Sequence, residues 1–301
     1  MTALTWKWLP LAIVLLASGI CWLVIGRGGM AAIVAWYAFQ IGLPLLGLVL
    51  LLVVSVYAIV NRRIDSGILA SLIGCAAAVA PAAWYFGFLT VAYPASIEST
   101  KPAATVRLPA AETLTVAWGG DRIEVNYHAI VPDQRWAYDL FAEPYLTGSD
   151  RLQDYGCYGI PVVAPAAGWV ASVHDGSPDV VPGQSSLNLE TPFGNHVVIE
   201  LPTGTYLVIA HLQEGSVAVK AGDSVEEGEP IGRCGNSGNT SEPHIHIHHQ
   251  RQDPAVYPVN FAEGLPLFFR DHDGPPMPEG GIRRTDGKLL ATGISVRHRP
   301  R

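Results

Sequence analysis

Residues 222–248 read GDSVEEGEPIGRCGNSGNTSEPHIHIH. The stretch opens with a Gly-Asp turn, passes through an acidic hairpin and breaks into a polar, Gly-rich loop at 235–242. It ends in Pro243-His244-Ile245-His246. On a strand, residues two apart point the same way, so His244 and His246 present two imidazoles to one face. The loop ahead of them carries Asn236, Ser237 and Asn239. It is a candidate substrate loop, because Gly and small polar residues let backbone come close to a ligand.

Upstream, residues 206–212 (YLVIAHL) form an apolar run that delivers His211, and residues 135–139 (RWAYD) set Asp139 among apolar neighbours. A His-x-His alone is weak evidence. Together with a further strand-borne histidine and a carboxylate, it is the donor chemistry of a zinc hydrolase. Such sites use three His, Asp or Glu ligands and leave a fourth position for water; other histidines then move protons or stabilise an oxyanion. All ten histidines lie at or after His128, so the chemistry belongs to the second part of the chain.

That part reads as β. Candidate strands are 113–118, 123–128, 162–163, 168–173, 196–200, 206–210, 216–219, 230–232 and 244–249, with Gly and Pro in almost every gap. No long 3.6-residue period follows residue 95, and no internal repeat is visible. About 200 residues of short strands suit one all-β domain. The expected boundaries are a linker at 95–112, rich in Pro, Ser, Thr and Ala, a domain at 113–270, and a tail at 271–301 that either adds a strand or hangs loose.

The first part is different. The chain is 301 residues long, 49% hydrophobic and only 15% charged. The apolar excess lies before residue 95, where Arg27 is the lone charge between Leu9 and Val60. A bilayer span needs about 20 apolar residues, and three stretches qualify: about 9–25, 40–60 and 67–93. Residues 31–39 read as interfacial or as the extra length of a tilted helix. A cleaved signal peptide is the other reading of Lys7 and the run after it, but two more spans follow and no small-residue site ends the run. The spans carry almost no ionisable group, so residues 1–94 read as an anchor in a lipid bilayer rather than an ion pathway. Lys7, Arg62 and Arg63 outweigh Arg27, so the positive-inside rule puts the N-terminus and the 61–66 loop in the cytoplasm and the β domain outside. Residues 95–301 hold 15 basic and 25 acidic side chains. Nucleic-acid binding needs clustered cations, so this balance argues against it.

Four ordered blocks, 159–170 (GIPVVAPAAGWV), 194–199 (GNHVVI), 206–212 and 222–248, resemble the lysostaphin-type (LytM-like) zinc endopeptidases over about residues 113–265. The resemblance implies a half-open β-sandwich built on the duplicated hybrid motif, bound Zn2+, and hydrolysis of stem or cross-bridge peptides of bacterial peptidoglycan. For a membrane-anchored member it implies the bacterial inner membrane with a periplasmic catalytic domain. Carried over by motif, His246 and Asp139 match ligands, while His211 and His244 match the catalytic histidines. The family's third ligand is a histidine four residues before the Asp, where this chain has Arg135. A guanidinium offers no lone pair and cannot ligate. His128, eleven residues before Asp139, resembles variants whose ligand histidine lies farther upstream; His196 is its rival.

Other residues have plainer readings. His248 shares the face of His246 and reads as a rim residue; His174, His249, His272 and His298 read as surface. Arg135 either pairs with Asp139 or binds a substrate carboxylate. Cys157 and Cys234 flank motif blocks outside the membrane half and are candidates for a disulfide. Two functions compete with the peptidase: an inactive relative that binds and regulates a cell-wall partner, and a biotinyl- or lipoyl-type carrier. The carrier needs an acceptor lysine at the hairpin turn, where Glu226-Glu227 stand.

Overall fold

The computed structural model describes residues 6–184 and 188–299. Residues 1–5 of the expected anchor and 300–301 of the expected tail therefore lie outside the described residues. The chain divides into two units, Met1–Ala95 and Ser96–Arg301.

Among the described residues of the first unit, three helical stretches are long and apolar enough to cross a membrane: Trp6–Ile25, Gly29–Asn61 and Ser66–Tyr85. The first contains α1 (Leu9–Ile25). The second is one helical run, α2 (Gly29–Tyr37), a π turn (Ala38–Gly42) and α3 (Leu43–Asn61). Residues 31–39 are thus the extra length of a single helix. Pro44 has no N–H to give to the carbonyl four residues back, and the backbone widens into the π turn just there. The third stretch is shorter than the expected 67–93. It consists of α4 (Ser66–Ala77), a turn containing Pro81, and α5 (Ala82–Tyr85), and the chain leaves helix before Gly87. Asp65 caps α4 by accepting from the N–H groups of Gly67 and Ile68, an N-cap that satisfies donors with no partner inside the helix. It also ion-pairs with Lys7. Leu15, Leu16, Leu23, Leu52, Ile59 and Val60 are exposed, as bilayer-facing side chains are.

The second unit is mostly β. In chain order its strands are β1 (Ala104–Val106), β2 (Leu114–Trp118), β3 (Tyr138–Phe141), β4 (Pro161–Val163), β5 (Gly168–His174), β6 (Asn195–Glu200) and β7 (Tyr206–Leu212). Then come β8 (Ser224–Val225), β9 (Pro230–Arg233), β10 (Ile245–Gln250), β11 (Leu267–Phe269), β12 (Ile282–Thr285), β13 (Lys288–Ala291) and β14 (Ser295–Val296). Eight of them make one sheet in the order β14-β2-β3-β10-β7-β6-β5-β8. Alternation sorts its faces. Val197 and Ile199, Leu207 and Ile209, and Ile245 and Ile247 turn inward to a core shared with Val162 of β4, Ile231 of β9 and Phe269 of β11. On the opposite face lie Val198, Val208 and Ala210, packed with Phe193, and, by the same period of two, His246 and His248.

Three expectations need correction, and the two readings left open for the tail are decided. Residues 123–128 are not a strand but a turn entering a 3-10 helix, Tyr127–Ile130, because Asn126 caps it by accepting from the His128 N–H. Residues 216–219 are held as a loop: the Asp175 carboxylate accepts from the N–H groups of Gly215 and Val217. The linker is structured in its second half. β1 pairs in parallel with β11, and Ala104, Val106, Leu108 and Ala110 join the core. The tail is integrated too: β14 extends the main sheet beside β2, and β12 and β13 form a hairpin around Asp286-Gly287, a turn pair that accepts positive φ.

Candidate functional site

The polar face of β10 sits between β3 and β7, and the strand register builds the site. His246 lies opposite Asp139 of β3 on one side and opposite Ala210 of β7 on the other. Ala210 precedes His211, so three residues far apart in sequence meet on adjacent strands. His128 arrives from outside the sheet. The Asn126 side chain donates to the carbonyls of Gly120 and Ala137, tying the 3-10 turn to the entry of β3. Its neighbour His128 then reaches Asp139, with His128 Nε2 3.0 Å from Asp139 Oδ2. On the other carboxylate oxygen, Asp139 Oδ1 lies 2.9 Å from His246 Nδ1 and 3.4 Å from His244 Nε2. Tyr127 donates to Asp139 Oδ2 at 3.4 Å.

His211, one residue before the end of β7, has a φ of 60°, the left-handed region that costs an L-residue about 1–2 kcal/mol. The bend is held on both sides: the His211 N–H donates to Phe193 O, and the Gly235 N–H donates to His211 O. His211 Nδ1 lies 2.8 Å from Ser237 O, and His244 Nδ1 lies 2.8 Å from Glu242 O. A carbonyl can only accept, so each imidazole carries a proton on Nδ1; that leaves the Nε2 of neutral His211 bare, while the Nε2 of His244 faces the Asp139 carboxylate.

Among the described residues, two overlapping triads bring one donor atom per residue within 4.8 Å of one another: His128, Asp139 and His246, and His211, His244 and His246. All five side chains are buried. The first triad, two imidazoles and a carboxylate, is a borderline-soft N/O set suited to Zn2+. Burial favours the neutral form of Asp139, but the neighbouring His128 and His244 outweigh it and hold the carboxyl well below its usual range. Burial, with His244 and His246 nearby, holds His211 well below the usual imidazole value. His246 is pushed down to about 4 by burial, in spite of Asp139. His244 goes the other way, because Asp139 outweighs burial and raises it.

A groove of about 790 Å³ opens over this cluster, lined by Tyr127, His128, Phe193, His211, His246 and the 254–260 segment, with Asn188, Glu190 and Asn239 on its polar side. The expected substrate loop divides here. Asn239 is exposed and hydrogen-bonds Asn188. Asn236 and Ser237 are fully buried and spent on the scaffold: Ser237 Oγ donates to Leu212 O and accepts from the Asn195 N–H, while Asn236 is tied to Asp179 and Val180. Gly194 permits this closeness, since a Cβ there would fall 2.3 Å from Ser237 backbone.

Several expectations outside the cluster change. His248 is not a rim residue: it is fully buried, with Nδ1 2.9 Å from His246 Nε2. His249 is not on the surface either; it is buried on the core side and hydrogen-bonds Thr205. His196 is half-buried on β6, stacked on His174 and bonded to Gly194 O. Arg135 is buried, ion-paired with Asp121 and stacked over the Trp136 ring. Cys157 and Cys234 are joined by a disulfide, with Cα atoms 5.8 Å apart. Tyr127 beside His128 went unread in the sequence, because a tyrosine in a turn carries no spacing signal.

Residues 152–258 match the model of Peptidase family M23, and this stretch of the chain is a Peptidase family M23 domain of the LytM type. The match contains His211, His244 and His246; His128 and Asp139 lie upstream of it. Among solved structures, the chain is similar to the catalytic domain of lysostaphin from Staphylococcus simulans, at 18% identity over 50% of this chain and 86% of that one, with a TM-score of 0.30. It is also similar to a zinc-containing peptidase from Vibrio cholerae (19% identity, 53% and 39% covered, TM-score 0.32). A third likeness is to a chain of the SpoIIQ–SpoIIIAH pore-forming complex (18% identity, 53% and 87% covered, TM-score 0.33).

Proposed function

We propose that the protein is a membrane-anchored zinc endopeptidase that hydrolyses stem or cross-bridge peptides of bacterial peptidoglycan. On this reading the eight-stranded sheet and the short β4–β9 and β1–β11 pairs make up the half-open sandwich of the duplicated hybrid motif. Lys7, Arg62 and Arg63 face the cytoplasm, and the β domain works in the periplasm, where its substrate is.

One observation carries the reading: five buried side chains from four separate segments turn donor atoms into one space. His128, Asp139 and His246 hold Zn2+. When bound, the ion polarises a carbonyl oxygen and acidifies water. His211 and His244 divide the proton work between them. His211, kept neutral, accepts the proton of the attacking water at its bare Nε2 as the water oxygen bonds to the peptide carbonyl carbon. His244, with a second proton on Nε2, hydrogen-bonds the developing oxyanion. It then gives its proton to the leaving amine as the C–N bond breaks. The Ser237 and Glu242 carbonyls keep both rings aimed at the substrate.

The two classes of residue fail differently. His128→Ala should lower zinc content and activity together. His211→Ala should keep zinc and lose about 10² to 10⁴ in turnover. Elemental analysis and peptidoglycan hydrolysis on the purified full chain read both. Full zinc and full activity in His128→Ala would overturn the ligand set and make the second converging triad, His211, His244 and His246, the next candidate. A wild-type chain that binds no zinc would leave the regulatory, non-catalytic reading, with Arg135 as the mark of a decayed site.

A further inference from the structure

Strand β10 carries three polar side chains in a row on one face, His246, His248 and Gln250, each buried. They are linked end to end. His246 Nε2 lies 2.9 Å from His248 Nδ1, and His248 Nε2 lies 2.9 Å from Gln250 Oε1. The Gln250 amide nitrogen donates to Gln252 O at 2.6 Å. Phe193 packs against both rings, its centroid 6.3 Å from that of His246 and 5.5 Å from that of His248.

The direction of every proton follows from the far end. Gln252 O is a carbonyl and can only accept, so the Gln250 amide must turn its nitrogen there and its oxygen toward His248. That oxygen also only accepts, so His248 carries its proton on Nε2. Its Nδ1 is then bare and must accept, so His246 carries its proton on Nε2. The His246 Nδ1 lone pair is left facing Asp139 Oδ1 at 2.9 Å. Two acceptors at that distance call for a proton or a metal ion between them.

We infer that His248 and Gln250 are positioning residues that lock His246 in the tautomer with a bare Nδ1 and so prepare its metal-binding atom. The inference rests on the reading of His246 as a zinc ligand. Burial makes the lock effective, because His248, fully buried under Phe193, is offered no other partner in place of His246 and Gln250.

The test uses the full chain in detergent micelles with 15N-labelled histidine. Zinc affinity is measured by chelator competition, and the His246 tautomer is read from ring 15N shifts of metal-free protein at pH 8. Wild type should show one tautomer, with the proton on Nε2. His248→Phe should mix the tautomers and weaken zinc binding by about 10- to 100-fold, the usual effect of losing an outer-sphere partner. Gln250→Glu keeps an acceptor and should keep wild-type tautomer and affinity. Gln250→Lys supplies a donor, which reverses the chain; it should move the His246 proton to Nδ1 and weaken zinc as His248→Phe does. The Gln250 pair decides the matter should His248→Phe fail to fold. A wild-type His246 with its proton on Nδ1 would overturn the inference, as would Gln250→Lys with unchanged tautomer and affinity. A wild-type chain without zinc affinity would sink the ligand reading alone, and the tautomer measurement would still test the relay.

Discussion

Arg135 is the residue at which the chain departs from the pattern it resembles, and its surroundings explain how the departure is accommodated. The guanidinium is turned to Asp121, whose backbone carbonyl and carboxylate both accept from it. The position next to Asp139 is filled by His128. Two residues upstream of Arg135, Asp133 is buried, and burial pushes its carboxyl up to about 6. A raised carboxyl binds more protons in the folded than in the unfolded state between about pH 4 and 6, so its contribution to stability falls as pH rises through that window. Asp133→Asn removes the charge while keeping an oxygen for the Asn260 N–H, which now donates to Asp133 Oδ2. It should stabilise the fold at pH 7 by up to about 3 kcal/mol, two pKa units' worth. The gain should vanish below pH 4. Urea unfolding at pH 3.5 and pH 7 checks this, and an equal effect at both values would refute it.

At the scale of elements, the site depends on strands staying in register around a loop with little regular structure. The disulfide fastens that loop. Cys234 directly follows β9 and leads into the 235–243 segment, while Cys157 precedes β4, the partner of β9. The bond therefore ties the segment that presents His244 to a small sheet pair on the core side. The two cysteines are 77 residues apart in sequence. Closing a loop of that length removes on the order of 4 kcal/mol of unfolded-state entropy. Replacing both cysteines with alanine should cost about 2–5 kcal/mol in denaturant titration, and wild type under reducing conditions should match the variant. Equal stability in the two redox states would show that the bond contributes nothing.

For the whole molecule, the two units have opposite chemistry. The first is apolar with a few cations at loop ends; the second is acidic and carries every histidine. The proposed substrate lies outside the cytoplasmic membrane, so the proposed function requires the second unit to cross. By the positive-inside rule, Lys7, Arg62 and Arg63 would set that direction. A reporter fused after residue 301 should be active only when it folds in the periplasm. Activity confined to the cytoplasm would invert the orientation and remove the cell-wall reading with it. Moving the two loop arginines to the 26–28 turn should weaken or flip the insertion, and protease accessibility of the β domain in spheroplasts measures that.

Much was legible in the linear chain, and the reason differs from feature to feature. Apolar runs of about 20 residues announce helices that can enter a bilayer, because burial in lipid is a property of each residue and needs no partner. Alternation and the Gly and Pro punctuation announced β6, β7 and β10 for the same reason: a strand's period is local. His244 and His246 could be paired by eye because only one residue separates them. What the sequence could not yield depends on partners far away. Residues 123–128 alternate like a strand, yet Asn126 finds the carbonyls of Gly120 and Ala137 and makes a turn instead. Residues 104–110 look like a linker, yet β11, about 160 residues on, offers them a parallel edge. His248 reads as a rim residue until Phe193 covers it. The meeting of Asp139, His211 and His246 is likewise a matter of register, since only pairing of β3, β10 and β7 sets which residue stands opposite which. The sequence determined which chemical groups the protein possesses and which stretches are apolar. The tertiary structure decided which of those groups are neighbours, because hydrogen-bonded register and burial are properties of pairs of segments, and no single segment contains them.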